Sequence, residues 1–130
     1  MKKPSVSKLK KKLDIIFSRY IRQKYANHAG MVQCFTCKRS FHWKKIQCGH
    51  FVPRQYNSTR YVEKNNHPQC YACNMFYGGQ PDQYAVELKK KYGDGIIEEL
   101  NTLRHETKKW SVQELEELIE YYNQELKKWE

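Results

Sequence analysis

Apolar side chains recur at helical spacing near the start of the chain. Between residues 5 and 26 they return at every third or fourth position, which places them on one face of a helix. Most of the lysines and arginines of this segment fall on other faces. Ser5 or Ser7 stands where a helix cap belongs, and Gly30 lies in the loop beyond. The pattern predicts a basic amphipathic helix over residues 5–26.

The segment from residue 31 to residue 70 has a different pattern, with short aromatic and β-branched runs broken by polar positions. This pattern predicts two or three small strands and irregular loops, with one strand around Gln47–Val52. The segment holds few aliphatic residues from which a core could be built. We therefore expect a bound metal to stabilise it.

Helical periodicity returns after Tyr71 and continues to the end of the chain. Proline and glycine divide it into separate helices, because proline suits a first helical turn and glycine a helix end. Ser111 and Glu114 form a capping box, which marks the start of the last helix. The predicted helices cover residues 70–79, 81–92, 96–105 and the segment from 112 onward.

The chain has a strong net positive charge. The chain carries 24 lysines and arginines against 14 aspartates and glutamates, which gives a net charge of +10. Residues 1–24 hold nine basic residues and one aspartate, a net of +8, whereas residues 111–130 hold two lysines and six glutamates, a net of −4. A positive field over the first two thirds of the chain suits a polyanion, of which nucleic acid is the commonest.

Charge alone leaves two other interpretations open, a merely solvated basic surface and binding of the N-terminal helix to a membrane surface. No apolar run approaches the roughly 20 residues that span a bilayer, and no secretory signal pattern is present. We therefore expect a cytoplasmic protein with DNA, and no membrane, as its partner. The basic residues expected to contact DNA are Lys10, Lys11, Lys12, Arg19, Arg22, Lys44, Lys45, Arg54 and Arg60.

Two Cys-x-x-Cys pairs, Cys34 with Cys37 and Cys70 with Cys73, are separated by 32 residues. Two such pairs supply the four thiolates that a structural zinc ion prefers. Buried free thiols or a redox pair are the alternatives, and two matched pairs make both less favourable. Cys48 is left over, and we interpret it as a small apolar residue within a strand.

Polar residues between and just after the cysteine pairs predict a hydrolytic site. His50 follows Gly49 near the end of the predicted strand, Asn65 lies five residues before Cys70, and Asn74 directly follows Cys73. A neutral histidine can accept the proton of an attacking water near neutral pH. A carboxamide oxygen such as that of Asn74 is a suitable ligand for Mg²⁺ or Mn²⁺.

Arg54, four residues after His50, could hold a phosphate, and His67 and Gln69 could line the same cleft. For each of these three residues, a role in bracing a loop or covering the surface is an equally good interpretation.

The chain resembles the NinG/Rap recombination-protein family of bacteriophages from about residue 9 to residue 125. Short segments distributed along the sequence carry this resemblance. They are Ser18-Arg19-Tyr20-Ile21-Arg22, Cys34-x-x-Cys37, Gly49-His50-Phe51-x-x-Arg54, Asn65-x-His67-x-Gln69-Cys70-x-x-Cys73-Asn74, Gly78 or Gly79, and Tyr84 with Tyr92-Gly93.

That family is placed with the zinc-containing HNH nucleases and is implicated in cutting Holliday junctions and D-loops. The Cys-x-x-Cys-Asn step is also similar to that of phage endonuclease VII. The resemblance implies that His50 is the base, Asn65 a support residue and Asn74 a ligand, with His50 and Asn74 beside a catalytic Mg²⁺ or Mn²⁺. It also implies action in the cytoplasm of a phage-infected or prophage-bearing bacterium.

The predicted architecture is one domain over residues 1–130, of the α+β class and mostly helical. It consists of the basic helix at 5–26, a zinc-stapled, treble-clef-like ββα-metal nuclease core at 31–79, and C-terminal helices at 81–130.

One position departs from the wider HNH pattern. Many members carry Asp or His as a metal ligand immediately before the base, whereas this chain has Gly49. The second ligand of the catalytic ion therefore stays open. The candidates are Glu63, Asp82, Glu87 and His67.

Three functions remain in competition. The first is a structure-selective endonuclease acting on branched or four-way-junction DNA. The second is a catalytically inactive, zinc-containing DNA-binding module, which Gly49 favours. The third is a helical interaction protein that uses its acidic C-terminal helix. That helix could instead form a homodimer, which would present two sites to a symmetric junction.

Overall fold

The computed structural model describes residues 4–130 and is mostly helical, with small antiparallel sheets. The mostly helical α+β prediction is confirmed. The helices are α1 (Val6–Lys24), α2 (Asn57–Arg60), α3 (Pro81–Tyr92), α4 (Ile96–Arg104) and α5 (Val112–Lys127). The strands are β1 (Met31–Gln33), β2 (Ser40–His42), β3 (Gln47–His50) and β4 (Asn66–Gln69). Two 3₁₀ turns, Trp43–Lys45 and Glu63–Asn65, and a π-helical turn, Ala72–Phe76, complete the elements.

The described residues form two compact units, one made of the chain up to Tyr20 with Lys109–Glu130, the other of Ile21–Lys108. In the first unit, the predicted apolar stripe of α1 packs on α5. Phe17 lies edge-on to Tyr122 with ring centroids 5.1 Å apart, and Tyr20 stacks on Trp129 at 5.5 Å. The prediction of a single domain is not tested by this division.

The capping box of α5 is confirmed. The Ser111 hydroxyl accepts a hydrogen bond from the Glu114 amide at 3.1 Å, and the Glu114 carboxylate accepts one from the Ser111 amide at 3.0 Å. Each bond satisfies a donor that the first helical turn leaves without a partner.

The second unit contains two separate two-stranded antiparallel sheets, β1 with β2 and β3 with β4. This is one strand more than the sequence pattern predicted. In the β3–β4 ladder, Gln47 lies opposite Gln69, and His50 lies opposite Asn66. All four residues of β4 are buried although its sequence is Asn-His-Pro-Gln. Hydrophobic patterning does not predict such a strand, because its burial depends on internal hydrogen-bond partners.

Helices α3 and α4 supply the apolar part of this unit. Tyr84, Leu88, Ile96 and Leu100 are buried in one cluster with Val52. The two helices are joined at Gly93, whose φ of +98° suits glycine and ends α3 as predicted. Both helices begin at the residues that the sequence predicted, Pro81 and Ile96.

The short helix α2 was not predicted, because its sequence Asn-Ser-Thr-Arg has no apolar periodicity. Side-chain bonds to the main chain hold it instead. The Ser58 hydroxyl donates to the Leu103 carbonyl at 2.5 Å, and the Asn57 amide donates to the Lys108 carbonyl at 3.1 Å. No helix among the described residues is both long enough and apolar enough to cross a bilayer.

Candidate functional site

The four paired cysteines converge. Cys34 follows β1, Cys37 lies in the turn to β2, Cys70 follows β4, and Cys73 lies in the π-helical turn. Their sulfur atoms all lie within 4.8 Å of one another, an arrangement that could hold a metal ion such as zinc. Cys48 lies outside this group, with its sulfur 3.8 Å from the Asn66 side-chain oxygen.

Hydrogen-bond donors surround the sulfur atoms. The Cys70 and Cys37 amides donate to the Cys34 sulfur at 3.3 and 3.5 Å. Burial alone would raise the pKa of the Cys34 thiol, but these amides and the Thr36 hydroxyl lower it to about 6. The Arg39 guanidinium donates to the Cys37 sulfur at 3.5 Å. The surroundings of Cys34 therefore favour the thiolate, the form in which cysteine binds zinc, whereas burial raises the pKa of the Cys73 thiol to about 12.

His50 is the last residue of β3 and is half-buried. The main chain that follows it is held by Asn65, which is fully buried. The Asn65 side-chain oxygen accepts from the Val52 amide at 2.8 Å, and its nitrogen donates to the Val52 carbonyl at 3.1 Å and to the Thr59 carbonyl at 3.3 Å. Asn65 therefore holds the loop that follows His50 in place.

Asn74 lies in the π-helical turn and is half-buried. Its side-chain nitrogen donates to the Gln47 side-chain oxygen at 2.8 Å. Because Gln47 begins β3 and His50 ends it, this bond joins the turn that carries Asn74 to the strand that carries His50.

A steric constraint explains why position 49 is a glycine. The Gln69 side chain is fully buried, and its nitrogen donates to the Thr36 hydroxyl at 3.1 Å and to the Gly79 carbonyl at 2.9 Å. Its oxygen then lies 1.9 Å from the point that a Cβ at position 49 would occupy. Any side chain at this position would collide with the carboxamide, so the chain has glycine there.

The other candidates for a second ligand are engaged elsewhere or exposed. Glu63 pairs with Lys24 at 2.8 Å, and Glu87 pairs with Lys38 at 2.7 Å. The Lys38 ammonium also holds the pKa of the Glu87 carboxyl below its usual range. Asp82 is exposed in the first turn of α3.

His67 is fully buried and lies in the wall of a cavity that Tyr25, Phe35 and Lys91 also line. Its ring stacks on Phe35 with centroids 4.1 Å apart. Its Nδ1 lies 3.2 Å from the Tyr84 hydroxyl and its Nε2 lies 2.8 Å from the Tyr92 hydroxyl. A neutral ring with its proton on Nδ1 satisfies both contacts.

Tyr84 was not singled out for a role by sequence reasoning, although it lies among the residues that carry the family resemblance. Its hydroxyl donates to the Gly49 carbonyl at 2.8 Å. It therefore ties α3 to the residue that precedes His50. Burial raises the pKa of this tyrosine, so it remains a donor.

The predicted DNA-contacting residues differ in their surroundings. Arg22 donates to the Trp43 carbonyl at 2.9 Å and lies over the Trp43 ring, so it has a structural contact. The Lys44 ammonium lies 5.7 Å from the centroid of the same ring, and Arg60 lies 5.7 Å from that of Tyr61. The exposed members of the set are Lys11, Lys12, Arg19, Lys44, Lys45 and Arg54, and Lys10 is half-buried.

A family model described as Bacteriophage Lambda NinG protein matches residues 1–130. The chain belongs to the NinG family. Curated relatives include the ninG proteins of Escherichia phage lambda, 27% identical, and Escherichia phage 933W, 28% identical, each over 107 residues. The aligned part covers 74% of this chain in both cases, and 52% and 53% of the relatives. The Salmonella phage P22 ninG protein is 26% identical over the same length.

This NinG-family chain thus spans about half the length of the curated relatives that it matches. No solved structure matches it. The match to the family model extends over the cysteine pairs and the residues around His50.

The cysteine cluster predicts one zinc ion per chain in protein purified without chelator. Cys70→Ser is expected to lose most of the zinc and the fold of residues 21–108, because zinc binding contributes about 10–16 kcal/mol in small zinc domains. Metal analysis and circular dichroism measure both. Cys48→Ser is the matched control and should retain zinc. If zinc-free wild type has the same melting temperature as zinc-loaded wild type, the assignment is wrong.

The close approach at Gly49 predicts that Gly49→Ala destabilises the protein. The added methyl group has to displace the Gln69 carboxamide, and overpacking of this kind costs about 1–3 kcal/mol. Urea unfolding with saturating zinc measures the change. Gly95→Ala is the control, since no atom lies within 4 Å of its added Cβ and its φ is −80°. Equal stability of the two variants would show that Gln69 moves aside freely.

His67 is predicted to stay neutral in the folded protein well below pH 6. Burial, followed by nearby lysine ammonium groups, lowers its pKa from 6.5 to about 3. The neutral ring thus stabilises the fold above pH 6.5, and this contribution is lost as the pH falls toward 3. The assigned His67 Cε1–H resonance should not move between pH 8 and about pH 5, whereas acetylhistidine in the same tube titrates. A His67 midpoint near that of acetylhistidine would exclude the buried, neutral assignment.

Proposed function

We propose that this chain is a metal-dependent DNA endonuclease of the His-Asn type that cuts branched DNA. The observation that carries the proposal is the joint anchoring of three residues. His50 ends β3, Asn65 clamps the loop that follows it, and Asn74 is bound to the start of the same strand through Gln47. A half-buried histidine held in this way can act on a substrate without a large change in the fold.

His50 acts as the general base. In its neutral form it accepts the proton of the water that attacks the phosphorus atom, while the bond to the 3′ oxygen breaks. Asn65 is a positioning residue, because its two bonds to Val52 fix the chain direction just after His50. Arg54, exposed in the turn after β3, binds a non-bridging phosphate oxygen.

The residues present fit a hard divalent cation. Asn74 offers a carboxamide oxygen, and the Gln69 side-chain oxygen on the same strand pair is buried with no hydrogen-bond partner. Mg²⁺ and Mn²⁺ prefer such oxygen donors. A bound divalent ion supplies charge relief on the phosphate and stabilises the departing oxygen. Asn74 is the residue that would hold it.

We assign the core to the HNH nucleases, with a likeness to phage endonuclease VII. A cysteine-bearing turn between β1 and β2, the β3–β4 pair, and a helical turn opened by the second cysteine pair follow the order expected of a treble-clef ββα-metal core. The substrate proposed on this basis is a Holliday junction or D-loop formed during phage recombination in the cytoplasm of the host. A two-fold dimer would bring one site to each of two strands.

One alternative has an observation in its favour. The chain could be an inactive, zinc-containing DNA-binding module, since position 49 offers no ligand and the net charge is +10. The two functions predict the same affinity for DNA and differ only in cleavage.

The deciding experiment is cleavage of a labelled four-way junction beside matched duplex and single strands, with Mg²⁺, Mn²⁺ or EDTA. Wild type is expected to cut the junction with metal only. His50→Ala should lower the rate by about 10²–10⁴-fold, the usual contribution of a general base. His105→Ala, exposed at the end of α4, is the control and should cut normally.

The nuclease proposal is wrong if wild type binds the junction but cuts no DNA with either metal. The binding module would then be the better description. Light scattering of the same complex gives the stoichiometry, and one chain per junction would count against the dimer.

A further inference from the structure

We infer that the side-chain oxygen of Gln69 is a protein ligand of the divalent ion, at the position where Gly49 has no side chain to offer. The inference rests on the proposed function and makes Gln69, which the sequence analysis placed only in the wall of the cleft, a ligand of the ion. Three observations carry it: a carbonyl oxygen without a partner, the fixed orientation of that oxygen, and its place on the same face as the Gln47 side chain, which binds Asn74.

The Gln69 oxygen is the buried side-chain nitrogen or oxygen atom that lacks a hydrogen-bond partner among the described residues. An unsatisfied polar atom in the interior is unfavourable, and folded proteins satisfy nearly all such groups. A cation at this oxygen would remove the penalty. Elsewhere in this strand the polar side chains are satisfied, as by the Tyr84 and Tyr92 hydroxyls at His67.

The orientation of the carboxamide is determined by its neighbours. The nitrogen lies 2.9 Å from the Gly79 carbonyl oxygen, which can only accept. Rotating the carboxamide by half a turn would bring two carbonyl oxygens together. The nitrogen therefore faces Gly79, and the oxygen faces Gly49, 1.9 Å from the point where a Cβ would begin.

The oxygen also lies on the same face of the β3–β4 pair as the Gln47 side chain, which binds Asn74. Gln47 and Gln69 are opposite each other in the β3–β4 ladder, and Gly49 is two residues from Gln47, so all three face the same side. On that side Gln47 binds the Asn74 side chain at 2.8 Å. The Gly79 carbonyl that holds Gln69 belongs to the chain that follows the Asn74 turn, since the Gly79 amide donates to the Cys73 carbonyl.

Both carboxamides are thus fixed to one turn, and both offer the neutral, hard oxygen that Mg²⁺ and Mn²⁺ accept. A purely structural role for Gln69, which its two bonds to Thr36 and Gly79 would also explain, is the interpretation to exclude.

Two substitutions of similar length separate the roles. Gln69→Met and Gln69→Glu both remove the nitrogen that donates to Thr36 and Gly79. Only Gln69→Glu keeps an oxygen beside Gly49, since the methionine thioether is a poor ligand for hard cations. A structural role predicts the same behaviour for both variants, whereas a ligand role predicts opposite behaviour.

Mn²⁺ binding to DNA-free protein is measured by the loss of the free-ion electron paramagnetic resonance signal, with zinc content as the check of folding. We expect Gln69→Met to bind Mn²⁺ at least tenfold more weakly than wild type, and Gln69→Glu to bind at least as tightly. Equal affinity of wild type and both zinc-loaded variants would overturn the inference.

A measurement on wild type alone covers the case in which a variant fails to fold. On titration with Mg²⁺, the Gln69 Cδ resonance should shift, while that of Gln113, exposed in α5, should not. Wild type that cuts DNA but shows neither the shift nor Mn²⁺ binding overturns the Gln69 assignment and leaves the nuclease standing. Wild type that neither cuts DNA nor binds Mn²⁺ overturns both.

Discussion

The strand Asn66–Gln69 is polar and completely buried, and the candidate site is attached to it on every side. Such a strand is stable only where each side chain finds an internal partner. Asn66 donates to the carbonyls of Arg60 and Val62, and His67 contacts two tyrosine hydroxyls. These partners come from the loop after β3 and from α3. The hydrogen-bond requirement of one strand therefore fixes the elements around it.

The cysteine cluster reinforces this arrangement, because two of its cysteines are adjacent in sequence to β4 and to Asn74. Cys70 directly follows β4, and Asn74 directly follows Cys73. Thr36, which lies between the first two cysteines, contacts the Cys34 sulfur at 3.5 Å and receives the Gln69 nitrogen at 3.1 Å. A change at the sulfur atoms would consequently displace the carboxamides on the face of β3. The cysteine cluster, which could hold a metal ion, is therefore connected through Thr36 and Gln69 to the residues proposed for the chemistry.

The sequence predicts the structure where local signals decide it. Proline, glycine and the Ser111 capping box mark the helices, and α3 has the predicted bounds. The two Cys-x-x-Cys pairs also predict that the four cysteines converge, since this spacing is typical of a metal site. The polar strand β4 and helix α2 were harder, because tertiary hydrogen bonds rather than periodicity hold them. The route by which Asn65 supports His50, through Val52, likewise depends on a loop conformation that spacing alone does not determine.

The contact between Gly49 and Gln69 has an evolutionary consequence. A side chain at position 49 requires a smaller residue at position 69, and the carboxamide at position 69 requires glycine at position 49. A single substitution at either position is then unfavourable, while a paired exchange can preserve the packing. Among relatives of this protein, the residues at positions 49 and 69 should therefore co-vary. The residue at one of these positions then predicts the residue at the other.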